Sequence, residues 1–114
     1  MVASAIVVSA HAGLAVTTLA VDAYVLRTLM PDLVGHDRQP SAFLVYLFLW
    51  DRSAGARRRN VALSLREIAE GTGLSKRGVQ AALAVLARRR LVSARRHGPT
   101  SVPEYTVNRP WAKR

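Results

Sequence analysis

The 114-residue sequence contains no cysteine. That excludes a disulfide framework and every thiolate metal site, and it fits a reducing compartment. Its three histidines, His11, His36 and His97, are scattered, with no H-x-x-x-H spacing and no neighbouring carboxylate pair, so no metal centre is expected. There is no G-x-x-x-x-G-K phosphate loop, no G-x-S-x-G and no convergent acid–base pair. The residues make no case for an enzyme, a cofactor or a small-molecule ligand. A long apolar run is missing as well. Met1 to Val21 carries no formal charge, but "AIVV" is interrupted at Ser9 and His11 and lacks a basic leader. Ser, Thr, Gly and Ala dilute the stretch too far for a membrane span. A cytoplasmic chain without a membrane partner is expected, with little to order its first residues.

Acidic residues are few throughout, but basic ones are concentrated in one half. Residues 1–54 hold three basic side chains, Arg27, Arg38 and Arg52, against four acidic ones, a net of −1. Residues 55–114 hold fourteen basic against three acidic, a net of +11. A field of one sign confined to one half implies a polyanionic partner, nucleic acid before an anionic membrane. Half the residues are apolar, enough for one packed core, and the length suits one domain.

Gly13 to Val21 alternates loosely, with Leu14, Val16 and Thr18 on one side, and reads as a short strand. Asp22 is placed to cap a helix "AYVLRTLM", in which Val25, Leu26, Leu29 and Met30 recur at helical spacing. "PDLVGHDRQPS" gathers turn formers into a connection that ends at Ser41, the expected cap of the next helix. "AFLVYLFLW" follows, nine apolar residues from Ala42 to Trp50. A helix apolar on all sides must be covered on all sides. The downstream residues can cover one face, and the N-terminal forty or a second subunit the other. Phe43, Leu44, Tyr46, Leu47, Phe48 and Trp50 are thus expected in a core or an interface. "DRSAGARRRN" reads as a surface loop whose Arg57, Arg58 and Arg59 are free to touch a phosphate backbone.

The stretch "LSLREIAEGTGLSKRGVQAAL" carries the densest local signals. Ser64 and Glu67 have the spacing of a capping box. A helix Leu65–Glu70 should turn Leu65, Ile68 and Ala69 inward and end at a left-handed Gly71. Gly73 supplies the left-handed residue a steep helix crossing needs, Leu74 plugs the core and Ser75 caps the next helix. From Lys76 to about Arg89, the spacing of Val79, Ala82, Leu83 and Leu86 makes an inward stripe. Arg77, Ala81, Ala84 and Arg88 then point outward, flanked by Lys76 and Gln80. Small residues let such a helix sink into a major groove, and the basic and amide groups supply donors for base edges and phosphates. Leu91 to Arg96 reads as a strand, "HGPTSVP" as a loop and Glu104 to Asn108 as a returning strand with Tyr105 and Val107 inward. Arg95, Arg96 and His97 lead to the tip of this hairpin, where phosphates or a minor groove are within reach.

Taken together, "LREIAEGTGLSKRGVQAALAVL" and "LARRRLVSARRHGPTSVPEYTV" resemble a bacterial winged helix-turn-helix protein, with "SAFLVYLFLW" at the place of the preceding core helix. The resemblance spans about Ser41 to Val107. It implies a mainly α fold with a small β-hairpin wing and an extension at 1–40. The winged domain then occupies 41–109 and a basic tail 110–114. It further implies sequence-specific binding of double-stranded DNA in a nucleoid-associated transcriptional regulator. The candidate DNA-binding residues are Ser64, Ser75, Lys76, Arg77, Gln80, Ala81, Arg88, Arg95, Arg96 and His97. Domains of this kind also occur in replication and partition proteins, and many bind as homodimers, although no heptad here demands one. A protein-interaction adaptor docking through Ala42–Trp50, or an RNA binder, stays open. Two residues depart from the pattern. Gly78 replaces the usual Thr or Ser early in the second helix, and Arg90 stands where a glycine commonly ends it.

Overall fold

The computed structural model describes residues 5–8, 17–53 and 60–112. Strands β1 (Ala5–Val8) and β2 (Thr17–Ala20) form an antiparallel ribbon. The strand expected over Gly13–Val21 is thus observed at its second half, and Leu14 and Val16 lie outside the described residues. Helical winding begins at Ala23 and runs as two wide, π-type segments, Val25–Leu29 and Pro31–His36. The Met30 amide donates to the Val25 carbonyl and the Asp37 amide to the Asp32 carbonyl, both five residues back. Two expectations fail in this region. Asp22 does not cap the helix with its side chain; its carboxylate instead accepts from Arg109 Nε and Trp111 Nε1, each at 2.9 Å. The stretch from Pro31 is not a loop. Pro31 sits at the first helical position, where its missing N–H is harmless, and the full burial of Leu33 favours winding over an open connection.

Helix α1 spans Pro40–Arg52. Its cap position is Gln39 rather than Ser41, because Pro40 occupies the first helical position and sets the entry of the chain. Ala42, Phe43, Val45, Tyr46, Leu49 and Trp50 are buried. The elements upstream and downstream share the cover. Val21, Val25, Leu29 and Leu33 join one core with α1, and so do Ile68, Val79, Ala82, Val85, Leu86, Leu91, Val92 and Tyr105. Leu44 is the exception, 45% exposed. The buried Ser53 ends the helix by donating from Oγ to the Leu49 carbonyl at 2.6 Å. Arg57, Arg58 and Arg59 lie outside the described residues.

Helices α2 (Leu65–Thr72) and α3 (Lys76–Arg88) pack on α1. A three-stranded antiparallel sheet closes the body. It comprises β3 (Asn60–Ala62), β4 (Val92–Arg95) and β5 (Glu104–Val107), with β5 in the centre. In the register, Tyr105 pairs with Val61 on one side and Ala94 on the other. The hairpin of β4 and β5 matches the expectation, and the mainly α architecture with a small sheet is consistent with a winged helix-turn-helix. Asn108 locks this hairpin to the core. Its amide donates to the Leu91 carbonyl at 2.9 Å, and its carbonyl accepts from Tyr46 Oη at 2.9 Å. Burial raises the Tyr46 hydroxyl well above its ordinary pKa, so it remains a donor throughout the accessible pH range.

Candidate nucleic-acid interface

The turn between α2 and α3 is built from local chemistry. Ser64 Oγ accepts from the Glu67 amide at 3.1 Å, and the Glu67 carboxylate accepts from the Ser64 amide at 2.8 Å, completing the capping box. Helix α2 runs to Thr72, two residues beyond the expected end. Gly71 is therefore helical, and its lack of a side chain serves packing: a Cβ there would clash with the Phe48 ring at Cε1. The left-handed residue is Gly73, at φ +82°. Its amide donates to the Ala69 carbonyl at 2.8 Å, and half-buried Leu74 follows into the core. Ser75 Oγ then accepts from the Gly78 amide at 3.0 Å and caps α3.

Along α3, Val79, Ala82 and Leu86 are buried and Leu83 is half-buried, as the spacing predicts; Val85 joins them. Lys76, Arg77, Gln80, Ala81, Ala84, Ala87 and Arg88 are exposed. This outer face holds small residues and donors but no acid. Beside it, a shallow groove of about 400 Å³ is lined by Gln80, Leu83 and Ala84 of α3 and by Ala94, Arg95, Arg96, Pro103 and Tyr105 of the hairpin. The fold thus brings Gln80 together with Arg95 and Arg96 over an apolar floor. Burial raises the Tyr105 hydroxyl above its ordinary value, against the opposing charge of Arg96. The floor was not evident from the sequence, because β4 and α3 meet only once the chain has turned at Arg90.

Other candidates are placed differently. Both polar groups of Ser64 are engaged in the capping box, and the Glu67 carboxylate there disfavours a phosphate. Arg96 Nη1 donates to the Ser101 carbonyl at 2.9 Å and His97 Nε2 lies 3.1 Å from Glu104 Oε1, so both brace the hairpin tip while staying exposed. Arg88 lines a separate groove of about 440 Å³ with His36, Asp37, Gln39, Val85 and Arg89. There Arg89 spans two acids, with Nη2 at 2.6 Å from Asp32 and Nη1 at 2.7 Å from Asp37. These bonds raise the Arg89 pKa further, and the Asp37 carboxyl is held below its usual range by the His36 hydrogen bond and the Arg89 charge. Among the described residues, no three His, Cys, Asp or Glu side chains gather as a metal site.

Residues 39–92 match the family model of a helix-turn-helix domain. The chain carries a helix-turn-helix domain. The matched span takes in α1, β3, α2 and α3 and stops at the start of β4, so the returning strand of the hairpin lies beyond it. Neither the curated proteins nor the solved structures contain a match to the chain. The helix-turn-helix is a DNA-binding type of domain, whose second helix occupies the major groove. The second helix of the matched motif is α3. No helix among the described residues is long and apolar enough to cross a membrane.

Proposed function

We propose that this protein binds double-stranded DNA in a sequence-specific manner as a nucleoid-associated transcriptional regulator, without enzymatic activity. The observation that carries the reading is the acid-free outer face of α3 beside the groove it shares with the hairpin. In this reading α3 enters the major groove with its capped N-terminus leading. Ser75, Lys76, Arg77, Gln80 and Ala81 lie nearest the bases, and Arg95 and Arg96 hold phosphates on one flank, with His97 at the tip. Arg77 has the geometry to read guanine and Gln80 to read adenine, while the short Ala81 lets the backbone approach. An adaptor role through α1 is disfavoured, because most of that helix is covered from both sides.

The test is a binding titration at fixed salt with duplexes enriched by selection from a random pool. Replacing both Arg77 and Gln80 with alanine should weaken the preferred duplex by at least tenfold, given about 1–3 kcal/mol per bidentate base contact. Unchanged affinity and preference would sink the assignment of α3. Duplex RNA competing as well as DNA would also overturn it, because the A-form major groove is too narrow for side chains to read.

A further inference from the structure

Two residues other than glycine adopt the left-handed backbone conformation in the described chain, Arg38 at φ +54° and Arg90 at φ +59°. Both are exposed arginines. The conformation is unfavourable for any residue with a Cβ and costs glycine nothing. At Arg90 its structural purpose is plain. The Arg90 amide donates to the Ala87 carbonyl at 3.0 Å and the Leu91 amide to the Leu86 carbonyl at 2.9 Å, which is a Schellman ending for α3. Buried Leu91 packs beside buried Leu86, and Asn108 Nδ2 donates to the Arg90 carbonyl at 3.2 Å. Every one of these interactions uses backbone or a neighbouring side chain. A glycine would make them all with less strain. The Arg90 guanidinium makes no hydrogen bond or ion pair among the described residues, and neither do those of Arg38 and Arg88.

The positions are linked. Arg38 follows Asp37 and Arg90 follows Arg89, and Asp37 and Arg89 are the partners of the 2.7 Å ion pair. The two strained arginines therefore flank one bridge, with Arg88 beside it. Asp32 and Asp37 are both committed to Arg89, so the bridge consumes the local acids and leaves the surrounding arginines uncompensated. His36 lies beside the bridge, exposed and hydrogen-bonded to Asp37. This patch lies at the C-terminal end of α3, a thirteen-residue helix, and thus about 18 Å from the end that leads into the groove.

We propose that Arg38, Arg88 and Arg90 form a second phosphate-binding patch that grips the DNA backbone beyond the segment read from the N-terminus of α3. The proposal rests on the DNA-binding reading above and extends its footprint. Backbone strain at Arg38 and Arg90 is retained because the side chains serve the partner rather than the fold.

The experiment measures affinity against salt for a mixed-sequence duplex reaching a full helical turn beyond the contacted segment, and for one truncated to that segment. The variant is Arg38→Gly with Arg88→Ala and Arg90→Gly, leaving Arg89 in place. Because both glycines relieve strain, its thermal midpoint should match or exceed that of the wild type, which excludes misfolding as a cause. On the long duplex the salt slope should fall by roughly 0.9 per lost contact, and affinity by about fivefold per arginine at physiological salt. On the short duplex the loss should be smaller. An unchanged slope on the long duplex overturns the patch. If Arg77→Ala with Gln80→Ala still abolishes preference in that case, the α3 reading stands alone; if it does not, both fall.

Discussion

Helices α1 and α3 are the same length, thirteen residues, and are used in opposite ways. Helix α1 is apolar around most of its circumference and sits between the N-terminal windings on one side and α2, α3 and β5 on the other. Helix α3 buries one stripe and leaves the rest of its surface to donors and small side chains. The first organises the core, and the second can afford a free face because the first anchors it. If α3 recognises DNA as proposed, stability and recognition are assigned to different helices, and substitutions should separate them.

The largest stability effect is expected on α1. Leu49→Ala removes a fully buried side chain at the centre of the core, and chemical denaturation should show a loss of about 2–5 kcal/mol. Gly71→Ala comes next. Its methyl would displace the Phe48 ring over which the Arg52 guanidinium lies at 4.7 Å, a cost of about 1–3 kcal/mol by the same measurement. Arg89→Ala leaves Asp32 and Asp37 without their shared partner. That should cost about 1–3 kcal/mol, and it would blur the comparison, since it is a residue of the α3 end whose role is structural. Smallest of all should be Gln80→Ala on the exposed face, within about 0.5 kcal/mol of the wild type by melting yet defective in DNA preference. A Gln80 variant that unfolded the protein, or a Leu49 variant that kept full stability, would break the division of labour.

The bridge also predicts an acid limb. The Asp37 carboxyl is held below its ordinary value of 3.8 by the His36 hydrogen bond and the Arg89 charge, against the opposing effect of burial. A depressed carboxylate contributes stability that is fully present above its unfolded value and is lost as pH falls through the folded one. Stability measured as a function of pH should therefore drop below about 3.8, and Asp37→Asn should remove that part of the drop.

The helix-turn-helix was readable from sequence because its signals are local. The Ser64–Glu67 box, the left-handed Gly73, the Ser75 cap and the stripe of Val79, Ala82 and Leu86 all act within a few residues of one another. Gly78 shows the limit of such reading. It leaves the cap intact, and a Cβ there would meet Ser75 Oγ at 3.3 Å, a tight contact in the first turn that the spacing alone does not reveal. What escaped was set at long range. Strand β3, only three residues, exists because β5 pairs with it from far along the chain. The Tyr46–Asn108 bond joins residues 62 apart, and Arg89 finds Asp37 across 52. No periodicity encodes these, and the wide winding of Pro31–His36 defeated a reading based on turn formers.

That winding has a consequence for evolution as well as for packing. Five residues of ordinary α-helix would rotate Asp37 about 140° away from Asp32. The wider turn, closed by the bond from the Asp37 amide to the Asp32 carbonyl at 2.8 Å, brings the two acids back above one another. One guanidinium can then be held by both. At the present spacing of five, only the wide winding keeps both carboxylates on one face; with one residue fewer between them, ordinary α-helix would place them about 40° apart on that same face. Loss of one residue from Leu33–His36 should therefore be tolerated by the bridge, whereas tightening the winding at the present length should release Arg89 from one of its two acids.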